Sequence, residues 1–242
     1  MRRFVQAIAG MEMLPAGLPV QLAMAVSVAP QRYNIAKAKP ACVIAQAVNE
    51  APFQADMLWG LVPRWSAEPT TPYTTVTARL ERAQHSRIYA HAWKQRRCVV
   101  PMTGYYKWDR SQKRPWPRFV QRQDGIALLA AGIWERWQGQ DDVVLDSFSL
   151  LTAPNPAIPA PLTPDGPVFL DPDSAMDWLS FRLTTTVMLK RRSLLPALES
   201  YPVSRAVADP ARDDYTLLEP VEPDRVEESD EEIEHEPWED EN

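Results

Sequence analysis

The chain is poor in glycine, cysteine and histidine: eight, two and three among 242 residues. No glycine-rich phosphate loop occurs. Cys42 and Cys98 each lie in an apolar, strand-like run and read as buried free thiols in a reducing cytoplasm. With only His85, His91 and His235 available, no Cys or His spacing resembles a zinc site, so neither a metal nor a cofactor is expected. No apolar run approaches the roughly 20 residues of a membrane span. The start, Met1-Arg2-Arg3-Phe4-Val5, has the look of a twin-arginine export signal, but Gln6, Gly10 and Glu12 interrupt the apolar stretch behind it. The expectation is a cytoplasmic protein with no membrane contact.

Proline, by contrast, is abundant. Twenty-four of them favour many short elements and ordered extended loops over long helices. Charge is divided unevenly. Residues 219–242 hold thirteen acids and one base, a net −12, which leaves +6 on residues 1–218 when the whole chain is at −6. A basic body with an acidic tail suggests a polyanion-binding face and a segment able to compete for it; a merely solubilising, disordered tail is the plainer alternative. Two units follow, a body over 1–218 and an acidic tail over 219–242.

Along the body, strands are expected over Met1–Ile8, Ala41–Val48, Asp56–Leu61, Cys98–Met102, Tyr105–Trp108, Arg118–Arg122, Ile126–Trp134 and Leu145–Thr152. Proline-rich loops are expected after Ile8 and over Ala153–Pro167. Ala78–Gln95 carries helical spacing, with a break near Tyr89. Asp171-Pro172 is a helix start, an acidic cap with proline at the first helical position, and gives a helix over Pro172–Ser180. A basic helix over Val187–Leu195 stops at Pro196. Many strands, few helices and no βαβ alternation define an α+β domain on a mainly antiparallel, barrel-like sheet core with a few flanking helices.

Arg97–Trp108 stands out. A strand pair turns at Thr103-Gly104, and its second strand points Tyr105 and Lys107 to one face, Tyr106 and Trp108 to the other. Lys94, Arg96, Arg97, Arg110, Lys113 and Arg114 crowd both sides. Lys107 either faces a cleft or protects an edge strand from aggregation.

Several separated stretches then align with one family. They are Arg32-Tyr33-Asn34-Ile35-Ala36, Trp59-Gly60-Leu61-Val62-Pro63-Arg64-Trp65, Thr77-Ala78-Arg79-Leu80-Glu81, His85-Ser86-Arg87, Cys98-Val99-Val100-Pro101, Gly104-Tyr105-Tyr106-Lys107-Trp108 and Pro202-Val203-Ser204-Arg205-Ala206-Val207. In order and spacing the body resembles the SOS-response-associated peptidase (SRAP) family. The resemblance implies binding of single-stranded DNA and recognition of abasic sites. It also implies a Cys at position 2 whose amine and thiol close a thiazolidine with the sugar aldehyde. An Asn that orients the sugar, a Glu that moves protons and a His that assists ring opening complete the implied set.

The chain departs at all four positions. They fall on Arg2, Thr77, Lys107 and Thr163, the last within Thr163-Pro164-Asp165. Without a thiol beside the α-amine no thiazolidine closes, and a lysine cannot accept a proton as a carboxylate does unless its pKa is strongly depressed. Positions implied to line or brace the DNA site survive at Arg3, Asn34, Trp65, Arg79 and Arg87. Each has a structural alternative. Asn34 can brace a turn, Arg79 can pair with Glu81 or Asp56, and Trp59 and Trp108 read as core. The functional expectation is a non-catalytic, SOS-associated family member that binds single-stranded or damaged DNA through a basic cleft, with its own acidic tail as competitor. A phage-related origin is compatible with the family. The alternatives are a protein–protein adaptor with a filled cleft and a lyase in which Lys107 forms a Schiff base. The second is distinguished by a dry lysine pocket that lacks a carboxylate. Because Arg2 and Lys107 add positive charge, Asp165 or another acid is expected within ion-pair distance of one of them.

Overall fold

The structure is a computed structural model that describes residues 2–223, apart from Gln112, Asp141 and residues 191–195. Among the described residues, thirteen strands and five α-helices form an α+β fold on two sheets. Five strands close a ring. These are β3 (Pro40–Ala47), β4 (Phe53–Trp59), β6 (Arg96–Met102), β9 (Leu128–Gln138) and β10 (Val144–Pro154). Neighbours pair in the order β10, β4, β3, β6, β9 and back to β10. Most pairings are antiparallel. β4 and the short β5 (Thr77–Arg79) instead run parallel to β10, because both reach it along the same edge. The second sheet has the order β13 (Leu198–Pro202), β8 (Trp116–Arg122), β7 (Gly104–Asp109), β1 (Arg3–Gln6), β2 (Arg32–Ile35).

The two-residue alternation of the strands divides the apolar residues between cores. Ala41, Val43 and Ala45 of β3, with Cys98 and Val100 of β6, meet Phe4, Ile35, Tyr105 and Val120 from the second sheet. Their neighbours Cys42, Ile44 and Val99 pack with the helices. The other face of the second sheet, Val5, Tyr106 and Phe119, is covered by Val203, Val207 and Leu217 from the C-terminal segment. Polar cross-links register the sheets. The buried Gln6 donates from Nε2 to the carbonyls of Cys42 and Pro101, both at 2.7 Å, and accepts from the Cys42 amide at 2.9 Å. An amide that satisfies three backbone groups fixes β1 in one position, since any slip leaves them unpaired away from water.

Where the sequence and structure differ, local reasons are visible. The loop expected after Ile8 contains α1 (Val20–Ser27), which buries Leu22, Ala23 and Val26. Its exposed positions Val20, Met24 and Val28 are also apolar, so no polar face marks the helical period. The expected helix over Ala78–Gln95 is strand β5, then α2 (Leu80–Ala83) and α3 (Ala90–Gln95), with Tyr89 as the cap of the second helix. The loop over Ala153–Pro167 holds β11 (Asp165–Pro167), recruited by pairing with β10, and β12 (Phe169–Leu170) then pairs with β9. The helix at Asp171-Pro172 is α4 (Pro172–Leu179), with the Asp171 carboxylate accepting from the Ser174 amide. The last helix is α5 (Thr185–Lys190); the rest of its expected span lies outside the described residues. Near the expected boundary at Glu219, Pro220 bridges to Val203 and the Val221 amide donates to the Pro202 carbonyl at 3.0 Å; residues 224–242 lie outside the described residues.

Arg97 is not at the surface. It is 6% exposed, and its guanidinium carbon lies 4.0 Å from the centroid of the Trp178 ring. It donates to the carbonyls of Trp178 and Leu183 at 3.2 and 3.1 Å, and burial lowers its pKa to about 10. It thus adds a donor to two carbonyls at and beyond the end of α4, of which that of Trp178 also accepts from the Phe181 amide at 3.1 Å. Replacing it by Met should cost about 1–3 kcal/mol of stability, since the Leu183 carbonyl loses the guanidinium as donor and Trp178 keeps only its main-chain one. Urea denaturation of Arg97→Met measures this, and a loss below about 0.5 kcal/mol would show that the carbonyls find other partners.

Candidate functional site

Three groups of side chains assemble around strands β1, β5 and β7. In β7 the pleat sends Tyr105 into the core between the sheets, and Lys107 follows on the same face. β7 is not an edge. β1 flanks it on one side and β8 on the other, so the aggregation-guard alternative for Lys107 is overturned. Lys107 is 8% exposed. Its Nζ donates to Thr163 Oγ1 at 2.9 Å and to the Asp165 carbonyl at 2.7 Å. Both acceptors are uncharged. Burial lowers the lysine pKa; the nearby Asp165 charge opposes that shift and Arg110 adds to it. The β1–β7 register pairs Arg3 with Tyr106, and Arg2 lies exposed one residue before it.

The Asp165 carboxylate does not pair with Lys107 or Arg2. It pairs with Arg79 instead, so the expected acid is present but is spent on a third cation. The structural alternative for Arg79, an ion pair, holds with Asp165 rather than Asp56, whose carboxylate takes Arg32 at 2.9 Å. The pairing follows from topology. β5 reaches β10 with Arg79 opposite Thr152, and β11 reaches it with Asp165 opposite Pro154. Thr77 sits two residues before Arg79 on the same side of β5, while Ala78 between them is buried. Beside Asp165, a Cβ on Gly166 would come within 2.6 Å of Ile158 Cδ1 and 3.4 Å of the Tyr105 hydroxyl, so a side chain there would force Ile158 to shift. Thr77, Arg79, Lys107, Thr163 and Asp165 therefore share one region.

Arg3 and Asn34 are not on that face. Arg3 pairs with Tyr106, whose side chain packs toward the C-terminal segment, and donates to Asn34 Oδ1 at 3.3 Å and to the Ala208 carbonyl at 2.6 Å. Asn34 is 3% exposed. Its Nδ2 donates to the carbonyls of Val207, Asp209 and Arg212, at 3.3, 2.9 and 2.8 Å. The bracing alternative describes what Asn34 does here. Trp65 and Arg87 form the third group. Trp65 is 47% exposed, Arg87 lies over its ring at 5.1 Å, and the exposed Tyr73 meets it edge-on at 6.5 Å. The guanidinium over the half-exposed tryptophan ring is a cation–π contact. Trp59 is wholly buried and Trp108 packs against the core under the C-terminal segment, as expected.

One cluster escaped the sequence reading. Glu135, 1% exposed, accepts from His91 Nδ1 at 2.7 Å and from Arg96 Nη1 at 2.8 Å, and Arg64 reaches His91 Nε2 at 2.9 Å. The four residues come from α3, β6, β9 and the loop after β4, so no local spacing announces them. The one available signal was a glutamate inside the apolar run of β9. Among the described residues, no group of three or more His, Cys, Asp or Glu could hold a metal ion, and no helix is long and apolar enough to cross a membrane.

The chain belongs to the SRAP family, SOS response associated peptidase, whose model matches residues 3–210. It is 35% identical over 102 residues to an abasic site processing protein of Saccharomyces cerevisiae, a match over 41% of this chain and 27% of that one, so it spans about a quarter of that relative. It is 24% identical over 194 residues to the abasic site processing protein YedK of Escherichia coli, covering 78% of this chain and 85% of that one. A crystal structure of a protein from Bacteroides thetaiotaomicron superposes with a TM-score of 0.68 at 18% identity, over 92% of this chain and 98% of that one, and shows the same fold.

Lys107 gives a pH test of the site. Its folded pKa lies below its ordinary value, so between the two the unfolded chain binds more protons and stability rises with pH. Lys107→Met should cost about 1–2 kcal/mol near neutrality, for two lost hydrogen bonds. As pH is raised toward the ordinary lysine value of about 10.5, the gap should widen in favour of the natural protein. Paired urea titrations from pH 7 to 10 measure it. A gap that stays constant or narrows would mean that the lysine is not destabilised as a cation.

Proposed function

We propose that this chain binds single-stranded or damaged DNA without forming the covalent cross-link that the family resemblance implies. The observation that carries the reading is the state of Lys107. Where the implied chemistry needs a carboxylate to move protons, an ammonium donates to Thr163 and to a backbone carbonyl. No thiol stands at position 2, where the chain has Arg2. The binding features persist. Arg79 offers a guanidinium to phosphate, and Trp65 with Arg87 offers a stacking face. Arg3 and Asn34 support this reading indirectly, by anchoring β1 and β2 to the C-terminal segment. The named relatives process abasic sites, which favours a damaged strand as ligand.

A second reading keeps one specific observation in its favour. The hydrogen-bond acceptors of Lys107 are uncharged, and burial lowers its pKa, as an amine that attacks an aldehyde requires. Incubation with a single-stranded oligonucleotide, with and without an abasic site, followed by a denaturing gel separates the two. The expected result is no shifted band in either case. A band that survives heating without reductant would overturn the non-covalent reading. A band that needs borohydride and disappears in Lys107→Ala would establish the lysine reading in its place.

The acidic tail belongs to the same proposal. Residues 224–242 carry eleven acids, one base and Trp238, so they share charge and an aromatic ring with a short single strand. Covalent linkage to the body places such a segment at a local concentration on the order of millimolar. Deleting 224–242 should therefore tighten binding of single-stranded DNA, most at low salt where charges are least screened. Fluorescence anisotropy at several salt concentrations measures this. Coincident curves for the two proteins would leave the tail outside the site, and no binding by either at low salt would favour a protein–protein adaptor.

A further inference from the structure

We propose that the Asp165 carboxylate is a built-in competitor for the phosphate that Arg79 would hold, and that it sets how tightly this site takes a single strand. The inference rests on the DNA-binding reading above and concerns the regulation of that same site. Four observations support it. First, the carboxylate and the Arg79 guanidinium are paired, yet their side chains are 41% and 52% exposed. An exposed pair of this kind is weak and open to exchange with an anion from solution. Carboxylate and phosphate oxygens offer a guanidinium the same kind of acceptor, so one can stand where the other stood.

Second, the exchange needs no movement of the main chain. Asp165 and Gly166 are paired with Pro154 and Ala153 of β10, and a Cβ at Gly166 would come within 2.6 Å of Ile158 Cδ1. The Asp165 carbonyl is also held by Lys107 Nζ at 2.7 Å. Only the Asp165 side chain is free to swing. Third, the arginine is equally fixed at its base, because Arg79 lies opposite Thr152 on the same strand β10. Both partners hang from one strand, so departure of the carboxylate leaves the base of the arginine side chain in place.

Fourth, the local charges leave Asp165 facing cations. Arg79 takes its carboxylate, and Lys107 lies close enough for the Asp165 charge to act on its titration. Lys107 uses uncharged oxygens for its hydrogen bonds, so Asp165 is the anion that offsets these two positive groups. A DNA phosphate entering here replaces that offset rather than adding to it. The natural protein should accordingly bind a strand more weakly than its exposed arginine alone would allow.

The alternative role for Asp165 is positioning: it would aim Arg79 at the strand, and its loss would weaken binding. A double-mutant cycle decides between the two roles. The proteins are the full chain, Asp165→Asn, Arg79→Gln and the double variant. The probe is a fluorescein-labelled oligothymidylate, read by anisotropy at fixed low salt. Asp165→Asn should tighten binding by about 3–10-fold, the size expected when one phosphate contact is released from competition. Arg79→Gln should weaken it, and in the Arg79→Gln background the Asp165 change should have less than about a third of its former effect on log Kd. The log–log salt slope of Asp165→Asn should steepen by about 0.7, one further phosphate.

Asp165→Ser, which also lacks the charge but has a smaller side chain, should reproduce the tightening and guards against a packing artefact of Asn. Unchanged or weakened binding in both Asp165 variants, with the natural protein still binding, would overturn the competitor role alone. Equal tightening with and without Arg79 would also overturn it, since that is the signature of net charge. If none of the four proteins binds at any salt concentration, the DNA-binding reading falls and this inference falls with it.

Discussion

A single ammonium joins the two sheets at the site. Lys107 belongs to β7 of the five-stranded sheet, and its two acceptors belong to Thr163 and Asp165, on the segment that enters β11 of the ring. A lysine with 8% exposure must keep its hydrogen bonds or lose its charge. The position of β11 against β7 is therefore constrained electrically as well as sterically. Gly166 supplies the steric half, because any side chain there would meet Ile158. The Asp165 carbonyl is held toward β7, and its carboxylate is left to Arg79. The arrangement of this region depends on the buried lysine.

The rest of the fold serves that contact in recognisable ways. β10 carries most of the geometry, since β9, β4, β5 and β11 all pair with it along its eleven residues. Short strands cannot stand alone, so β5 and β11 exist because β10 extends past β4 and β9 and leaves backbone groups to satisfy. Arg79 and Asp165 sit on those two short strands. Gln6 performs the matching task for β1, tying it to the carbonyls of Cys42 and Pro101. Apolar packing gives the sheets their affinity for each other. The buried polar groups of Gln6 and Lys107 select the register.

Much of this was legible from residue order. The strands of the ring were read from apolar runs, and α4 from Asp171-Pro172, because these signals are local. The resemblance put Lys107 and Thr163 in one site, and they bond across 56 residues, but the expected Asp165 carboxylate contact is a bond to its carbonyl instead. Pairings that arise only from topology were not legible. The alternative partners weighed for Arg79 were Glu81 and Asp56, whereas the acid it pairs with lies 86 residues away. Likewise α1 hid because its outward residues are apolar, and the His91–Glu135–Arg96 cluster hid because three elements contribute to it. Arg97 was grouped with surface cations by composition. Its aromatic neighbours Trp93 and Trp178 are what draw it inward.

The two cations of the site illustrate how burial assigns roles to like charges. Lys107 is enclosed and satisfied by fixed, neutral oxygens, so it has little to offer an incoming anion except a general field. Arg79 is half open and balanced by a carboxylate that is itself half open. An anion that arrives from water meets Arg79 first and pays the smaller desolvation cost there. Trp65 and Arg87 present a second open surface, where a base can stack without displacing any internal partner. On the proposed reading, stacking sets whether a strand engages at all, because nothing opposes it. The charged contact then sets how long the strand stays, because it must be exchanged. On that same reading, such a site is suited to transient contact with exposed single strands.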